Sequence, residues 1–314
     1  VKRARVPSPM PLAMLAIAST IASAAGCDDN INKGWLIDKT RVLGAQVSAE
    51  SDTTRASLSA GERGTVTWLV ASPGAPPKLS WAYALCAPPE GNFASAHCEG
   101  PALGSGSGEG DGELVPMDMI VPPAEALVNA PVLLMLTAFC ANGSTTLDPQ
   151  AFTATCSGGG SAMLASTLID VTALETNHNP VIADDAVSIT GGAKLPPARG
   201  GIAGSPCTPS NEVIGVPPDT KPDVFYQFRA QDREEFPSSP DKFEALQLST
   251  FTTSGEFDRQ YAALDPNEGL PKDAKIEWDV GGAPAEGKLV RFYFVLRDNR
   301  GGMGFAVREA CVHP

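Results

Sequence analysis

Histidine occurs three times in this chain of 314 residues, at 97, 178 and 313. These positions fall in a loop, a linker and the chain end, poor places for a base that a rigid scaffold must hold. There is no Gly-x-Ser-x-Gly elbow, no His-Glu-x-x-His helix and no phosphate-cradling loop. Cys-x-x-Cys is missing too, which removes the usual ligand spacing of a structural zinc site. Aromatic residues make up 6% of the chain, and most fall on expected core faces, leaving little for an exposed glycan platform. Basic residues are outnumbered, 23 against 36 acidic, for a net charge of −13. A surface that acidic repels nucleic acid and anionic headgroups, so no nucleic-acid partner is expected. Long apolar runs are also lacking. The stretch Leu12 to Ala25 rises about 21 Å as a helix, short of the roughly 30 Å of a bilayer core.

What is present begins at the N-terminus. Lys2, Arg3 and Arg5 precede that short apolar stretch, and Ala24-Ala25-Gly26-Cys27 closes it with small residues and a cysteine, the layout of a secretory signal. Val1 fits a GTG start codon, and the expectation is a complete precursor. The arrangement resembles bacterial lipoprotein signals, whose small-residue box ends in the cysteine that receives the lipid. That resemblance implies lipidation at Cys27, with Ala24 standing where the family prefers Leu. An ordinary cleaved signal would instead leave Cys27 for a disulfide. Seven cysteines are present, so lipidating Cys27 leaves an even set of six at 86, 98, 140, 156, 207 and 311. Residues 1–26 then form the signal peptide and 27–34 a lipidated tether. The expected location is the cell envelope, lipid-anchored in the outer membrane or on the periplasmic face of the inner one. Losing the signal removes three basic residues and no acidic one, leaving 20 against 36 and a net charge of −16.

Glycine (31) and proline (28) recur between short apolar runs, which reads as all-β with many turns. The fold class expected is two tandem immunoglobulin-like β-sandwich domains, over 35–176 and 177–314. In the first, Thr65 to Ala71 places Val66, Trp68 and Val70 on one face, and Leu79 to Cys86 does so with Trp81, Tyr83 and Leu85. Arg41 to Val47, Val132 to Phe139 and Met163 to Val171 supply further strands, with one proline-initiated helical turn over 122–127. The antibody hallmark of cysteines on facing central strands is missing. In the second, Lys288 to Asp298 sets Val290, Phe292, Phe294 and Leu296 on one face and Arg291, Tyr293 and Arg297 on the other. Asp298-Asn299-Arg300-Gly301-Gly302 turns the chain into a last strand, Gly304 to Val312. Val224 to Ala230, Ala245 to Thr253 and Ala274 to Val280 complete that sandwich, with Trp278 in its core.

Six cysteines in an oxidising compartment are expected to pair. If each domain keeps its own, Cys207 joins Cys311 and the other four have three patterns open. Cys86 and Cys140 end two strands which, as antiparallel neighbours, place them at opposite ends of the sandwich. The favoured pairs are therefore Cys86–Cys98 and Cys140–Cys156, each contributing about 3 kcal/mol, with Cys207–Cys311 nearer 5 on the chain-entropy estimate.

Three stretches carry a wider resemblance: Ala25-Gly26-Cys27, Trp35 to Leu43, and Val295 to Gly302. Together they look like a group of envelope lipoproteins from high-GC Gram-negative bacteria, and the second domain is similar to the Ig-like and PKD-like sandwiches of bacterial surface proteins. The resemblance implies architecture and brings no catalytic residues. Glu175 to Pro180 is also similar to the Asn-rich interdomain linker of cadherins, and Asp232-Arg233-Glu234 echoes another part of their calcium site. That likeness offers Glu175, Asn177, Asn179, Asp232 and Glu234 as calcium ligands; the competing reading is a linker whose Asn and Pro only break regular structure. Gly106 to Asp111 brushes a calcium-binding β-roll repeat, yet occurs once and reads better as a flexible loop. No other cofactor is expected. The function expected is non-catalytic: a membrane-anchored scaffold, adhesin or accessory subunit that meets a protein partner through the long loops 87–117 and 191–216. A glycan- or calcium-binding module is the alternative, and an envelope hydrolase the most remote.

Overall fold

The computed structural model describes residues 33–76, 78–89, 96–127, 131–171, 176–210, 212–236, 239 and 241–314. Cys27, with residues 1–32, and Glu175 lie outside the described residues. The first half forms β1 (Arg41–Ala49), β2 (Arg63–Ala71), β3 (Leu79–Cys86), β4 (Gly104–Gly110), β5 (Leu114–Ile120), β6 (Val132–Cys140), β7 (Thr145–Asp148), β8 (Thr153–Cys156) and β9 (Met163–Asp170). The second half adds β10 (Val187–Ile189), β11 (Ala193–Lys194), β12 (Ile214–Val216), β13 (Asp223–Phe228), β14 (Leu246–Thr252), β15 (Glu256–Phe257), β16 (Tyr261–Leu264), β17 (Lys272–Asp279), β18 (Lys288–Asp298) and β19 (Met303–Val312). The fold is all-β and built of sandwiches.

In the first sandwich the sheet β1-β2-β5 faces the sheet β4-β3-β6-β9. Alternate side chains of each strand meet in the middle: Val47, Val66, Trp68 and Met117 from one sheet, Tyr83, Met135, Phe139 and Ile169 from the other. Trp68 meets Phe139 edge to face with centroids 5.8 Å apart, a favoured aromatic geometry. The second sandwich sets β11-β10-β13-β17-β15 against β12-β19-β18-β14-β16. Its core holds Tyr226, Phe228, Ile276, Trp278, Phe292 and Phe294, and Trp278 stands edge-on to Phe292 at 4.7 Å. The short β12 joins β19 in parallel, Ile214 beside Ala310.

Two expectations about loops are corrected. Within 87–117, Gly104 to Gly110 is an ordered edge strand, β4, paired with β3 from Leu79↔Gly110 to Leu85↔Gly104, and Leu114 begins β5. Glycine and serine have low strand propensity, which hides the strand from a pattern search. The glycines are required by their neighbours. A Cβ on Gly106 would sit 2.6 Å from the Tyr83 ring, and one on Gly108 would sit 2.5 Å from Trp81. Within 191–216, β11 and β12 are both paired strands, and Cys207 is bonded to Cys311. The proline-initiated turn over 122–127 is a single 3-10 turn, Ala124–Ala126, after Pro123.

The two sandwiches meet face to face. The outer side of β1 and β2 gives Leu43, Leu69 and Ala71, and the outer side of β14, β18 and β19 gives Phe251, Tyr293, Val295, Met303, Phe305 and Val307. Strand β18 is consequently buried on both sides along Leu289 to Leu296. The face of Arg291, Tyr293 and Arg297, opposite the domain core, looks at the first sandwich. Together with Ile37, this third cluster helps make Gly34–Pro314 one compact unit. Polar groups fix its register. Arg291, its side chain 3% exposed, meets Glu113 at 2.5 Å and Glu309 at 3.1 Å, and the Tyr293 hydroxyl donates to the same Glu113 carboxylate at 2.6 Å. Gln46 donates to the Met303 carbonyl across the contact at 2.6 Å.

Removing one partner from a buried ion pair leaves an uncompensated charge, which costs more than the pair itself contributes. Glu113→Ala leaves Arg291 with Glu309 alone and takes the acceptor from the Tyr293 hydroxyl, and is expected to lower unfolding stability by about 1 to 3 kcal/mol in urea titration. A loss below about 1 kcal/mol would show that Arg291 finds other solvation at this contact.

Candidate functional site

A cluster of ionisable groups lies where the chain passes from the first sandwich to the second. Residues 52–56, 176–179, 234–236 and 244 and the β18–β19 turn meet there. Asn179, buried to 6% exposure, donates from Nδ2 to the Val47 carbonyl at 2.7 Å, accepts from Met303 N at 2.9 Å, and donates its backbone N–H to Thr54 O at 2.7 Å. Asn177 donates to Asp298 Oδ2 at 3.2 Å while its carbonyl accepts from Ala56 N at 2.8 Å. Both asparagines are thus structural fasteners that mimic strand pairing in a segment without regular structure. The expectation of a linker that merely interrupts the chain misses this.

Around them the charges interlock. His178 Nδ1 lies 2.5 Å from Glu234 Oε1, and Nε2 is 3.9 Å from Asp52 of the first sandwich. Arg300 donates to Glu244 at 2.9 Å, to Glu234 at 3.4 Å and to the Thr176 carbonyl at 2.8 Å, with its guanidinium 5.4 Å from the Phe236 ring centre. Asp298 accepts two backbone N–H bonds, from Arg300 at 2.8 Å and Gly302 at 2.7 Å, closing the hairpin turn. Burial, reinforced by repulsion from Asp298, lifts the Glu244 carboxyl to about 7 against the pull of Arg300. Burial likewise raises Asp298. Asp52 is lowered, chiefly by its hydrogen bonds from Thr54.

Of the residues offered as calcium ligands, Asn177, Asn179 and Glu234 stand in this corner. Asp232 is used elsewhere: its carboxylate accepts from Arg229 N at 2.8 Å and the Tyr226 hydroxyl at 3.3 Å, capping the 3-10 turn Ala230–Asp232. Asp232 and Glu234 therefore do not act together. The cation between Glu234 and Glu244 is the protein's own Arg300. Among the described residues no group of three or more His, Cys, Asp or Glu side chains is placed to hold a metal ion. Arg300 and Glu244 escape a reading of the sequence because they are 56 residues apart; the lone arginine in a Gly-rich turn is the only local signal.

The cysteines pair as Cys86–Cys98, Cys140–Cys156 and Cys207–Cys311. The first two lie on the outer face of the β3-β6 sheet and fasten a cover to it. Leu134 and Leu136 of that face pack with Ala96, Leu147 and Phe152 of the covering segments. Cys140–Cys156 ties β6 to β8 of the small β7-β8 hairpin, and neither bond joins the two sheets that face each other across the core, in contrast to an antibody domain. Beside the cover a cleft of about 750 Å³ opens over Ser80, Trp81, Gly108, Glu109 and Thr145. Trp81 is half-buried there and stacks on Tyr83 at 6.0 Å, so its ring is a wall and not a free platform. His178 hydrogen-bonds through its ring to Glu234.

No protein-family model matches the chain, and no curated protein matches it. Among solved structures, red sea bream transglutaminase matches over 87% of this chain and 31% of that one, at 9% identity and a TM-score of 0.25. A likeness of that extent carries no argument about fold or activity.

A carboxyl that is neutral longer in the folded protein than in the unfolded chain makes the folded state bind more protons between the two pKa values. Stability from Glu244 is therefore fullest below about 4.5 and declines as pH rises through about 7. Glu244→Gln, which is neutral throughout, is expected to gain on the wild type between pH 5 and pH 8, by about 1 to 3 kcal/mol in paired urea titrations. Equal pH profiles for the two proteins would sink this account.

Proposed function

We propose that this protein is a non-catalytic lipoprotein of the bacterial cell envelope, held to a membrane through lipid on Cys27, that presents a rigid β surface to a protein partner as scaffold, adhesin or accessory subunit. The observation that carries the reading is the pairing of a lipobox-like N-terminus with surface segments that disulfides fasten down. Cys98 and Cys156 hold the cover of the first sandwich, and Cys207 holds the 191–216 segment of the second. Pre-ordered segments lose little conformational entropy when a partner docks, which favours recognition by fixed surfaces. The acidic balance of the chain favours partners with basic or neutral faces over nucleic acid or anionic lipid.

Chemical crosslinking of the native envelope, followed by mass identification of joined peptides, tests the partner. The expected outcome is one reproducible neighbour linked through 96–103 or 191–216; random neighbours only would overturn the partner reading. The anchor is tested separately, since Cys27→Ser is expected to move the protein from the membrane pellet to the soluble fraction, and an unchanged pellet would remove the lipid from the account.

A further inference from the structure

Arginines in this acidic chain generally find carboxylates: Arg291 meets Glu113 and Glu309, Arg300 meets Glu244, and Arg229 meets Asp185. Arg41 and Arg297 do not. Arg41 Nη2 donates to the carbonyls of Gly34 at 2.7 Å and Leu36 at 2.8 Å, and its Nε is buried without an acceptor. Arg297 donates to Ser249 Oγ at 2.9 Å and, across the sandwich contact, to the Leu43 carbonyl at 2.8 Å. All of these acceptors are neutral. Among the described residues, Asp38 is the one carboxylate that acts on Arg41, from beyond ion-pair distance, and none acts on Arg297. Burial lowers both guanidinium pKa values, the direction expected of cations that lack counter-charges.

The two arginines line one cleft of about 480 Å³ where the end of β1 lies against β14 and β16, with Gln247, Ser249, Gln260 and Tyr261 on its walls. We propose that this cleft binds the oxyanion group of an acidic ligand, a carboxylate or a phosphate, between Arg41 and Arg297. A guanidinium presents a planar fork of N–H donors matched to such an oxyanion, and each arginine here has donors left over after its protein partners are served. Phe251 under the Arg41 guanidinium, 5.4 Å from its ring centre, holds that fork in place. Tyr261, 54% exposed at the rim, together with Gln247, gives the neutral body of the ligand an apolar face and amide hydrogen bonds. The site needs both sandwiches, because Arg41 comes from the first and Arg297 from the second.

The test is isothermal titration of the full chain at low salt with inorganic phosphate and, separately, with glucuronate. One saturable site is expected for at least one probe, weakened about tenfold or more by Arg297→Gln and by Arg41→Gln. Binding of phosphate alone assigns a phosphorylated ligand, and binding of glucuronate alone assigns a carboxylated one. Should a variant fail to fold, arginine modification by phenylglyoxal in the wild type takes its place: the bound probe is expected to protect Arg41 and Arg297 and to leave the exposed Arg199 reactive. No heat with either probe, or affinity unchanged by the substitutions and no selective protection, would overturn the proposal.

Discussion

The burial of a second face on β18 is the constraint on which the rest of this molecule depends. A strand in a two-sheet domain commonly has one face in the core and one in water. Here Val290, Phe292 and Phe294 fill the core of the second sandwich while Tyr293 and Val295 fill the contact with the first. Such a strand must be apolar on both sides, and any polar group it carries toward the contact must be answered. Arg291 is answered by Glu113 from the β4–β5 turn and by Glu309 from β19. Non-directional burial supplies the driving force, whereas the directional Arg291–Glu113–Tyr293 set admits one register of sheet on sheet. Gly44 serves the same end: a side chain there would meet the Met303 sulfur at 2.5 Å.

The corner at 176–179 depends on that contact in turn. Asn179 bonds both to Val47 of one sandwich and to Met303 of the other, so its side chain is satisfied only when the two faces are seated. Arg300 then bridges Thr176 of the transition segment and Glu244. The joint is closed by hydrogen bonds and internal ion pairs. Glu244, its carboxyl raised by burial to about 7, is the charge that this corner accommodates least well.

Much of the fold was legible in the sequence wherever large apolar residues alternate. Strands β2, β3, β6 and β18 announce themselves through Val66-x-Trp68-x-Val70, Trp81-x-Tyr83, Val132 to Phe139, and Phe292-x-Phe294. The disulfides were legible because antiparallel geometry separates Cys86 from Cys140 and leaves each a nearby partner. Strand β4 was not, since its glycines encode the bulk of Tyr83 and Trp81 on the neighbouring strand and have no apolar pattern of their own. Nor was the contact between sandwiches, because Leu69, Ala71 and Val295 look the same in a sequence whether they face another domain or a ligand. The cluster around Arg300 and the cleft between Arg41 and Arg297 are assembled across separations of dozens to hundreds of residues, beyond the reach of any local pattern.

The placement of the disulfides sets an order in which the molecule comes apart. Cys86–Cys98 and Cys140–Cys156 close loops of 12 and 16 residues on the outside of a sheet, and the cluster they secure is separate from the main core of that sandwich. Cys207–Cys311 instead spans 104 residues and ties the segment before β12 to the last strand. A reductant therefore acts on two different scales. At the first sandwich it loosens a lid and exposes Leu134 and Leu136 while Trp68 and Phe139 stay packed. At the second it releases a constraint on nearly the whole domain at once, leaving strand pairing and side-chain packing to hold β19 in place.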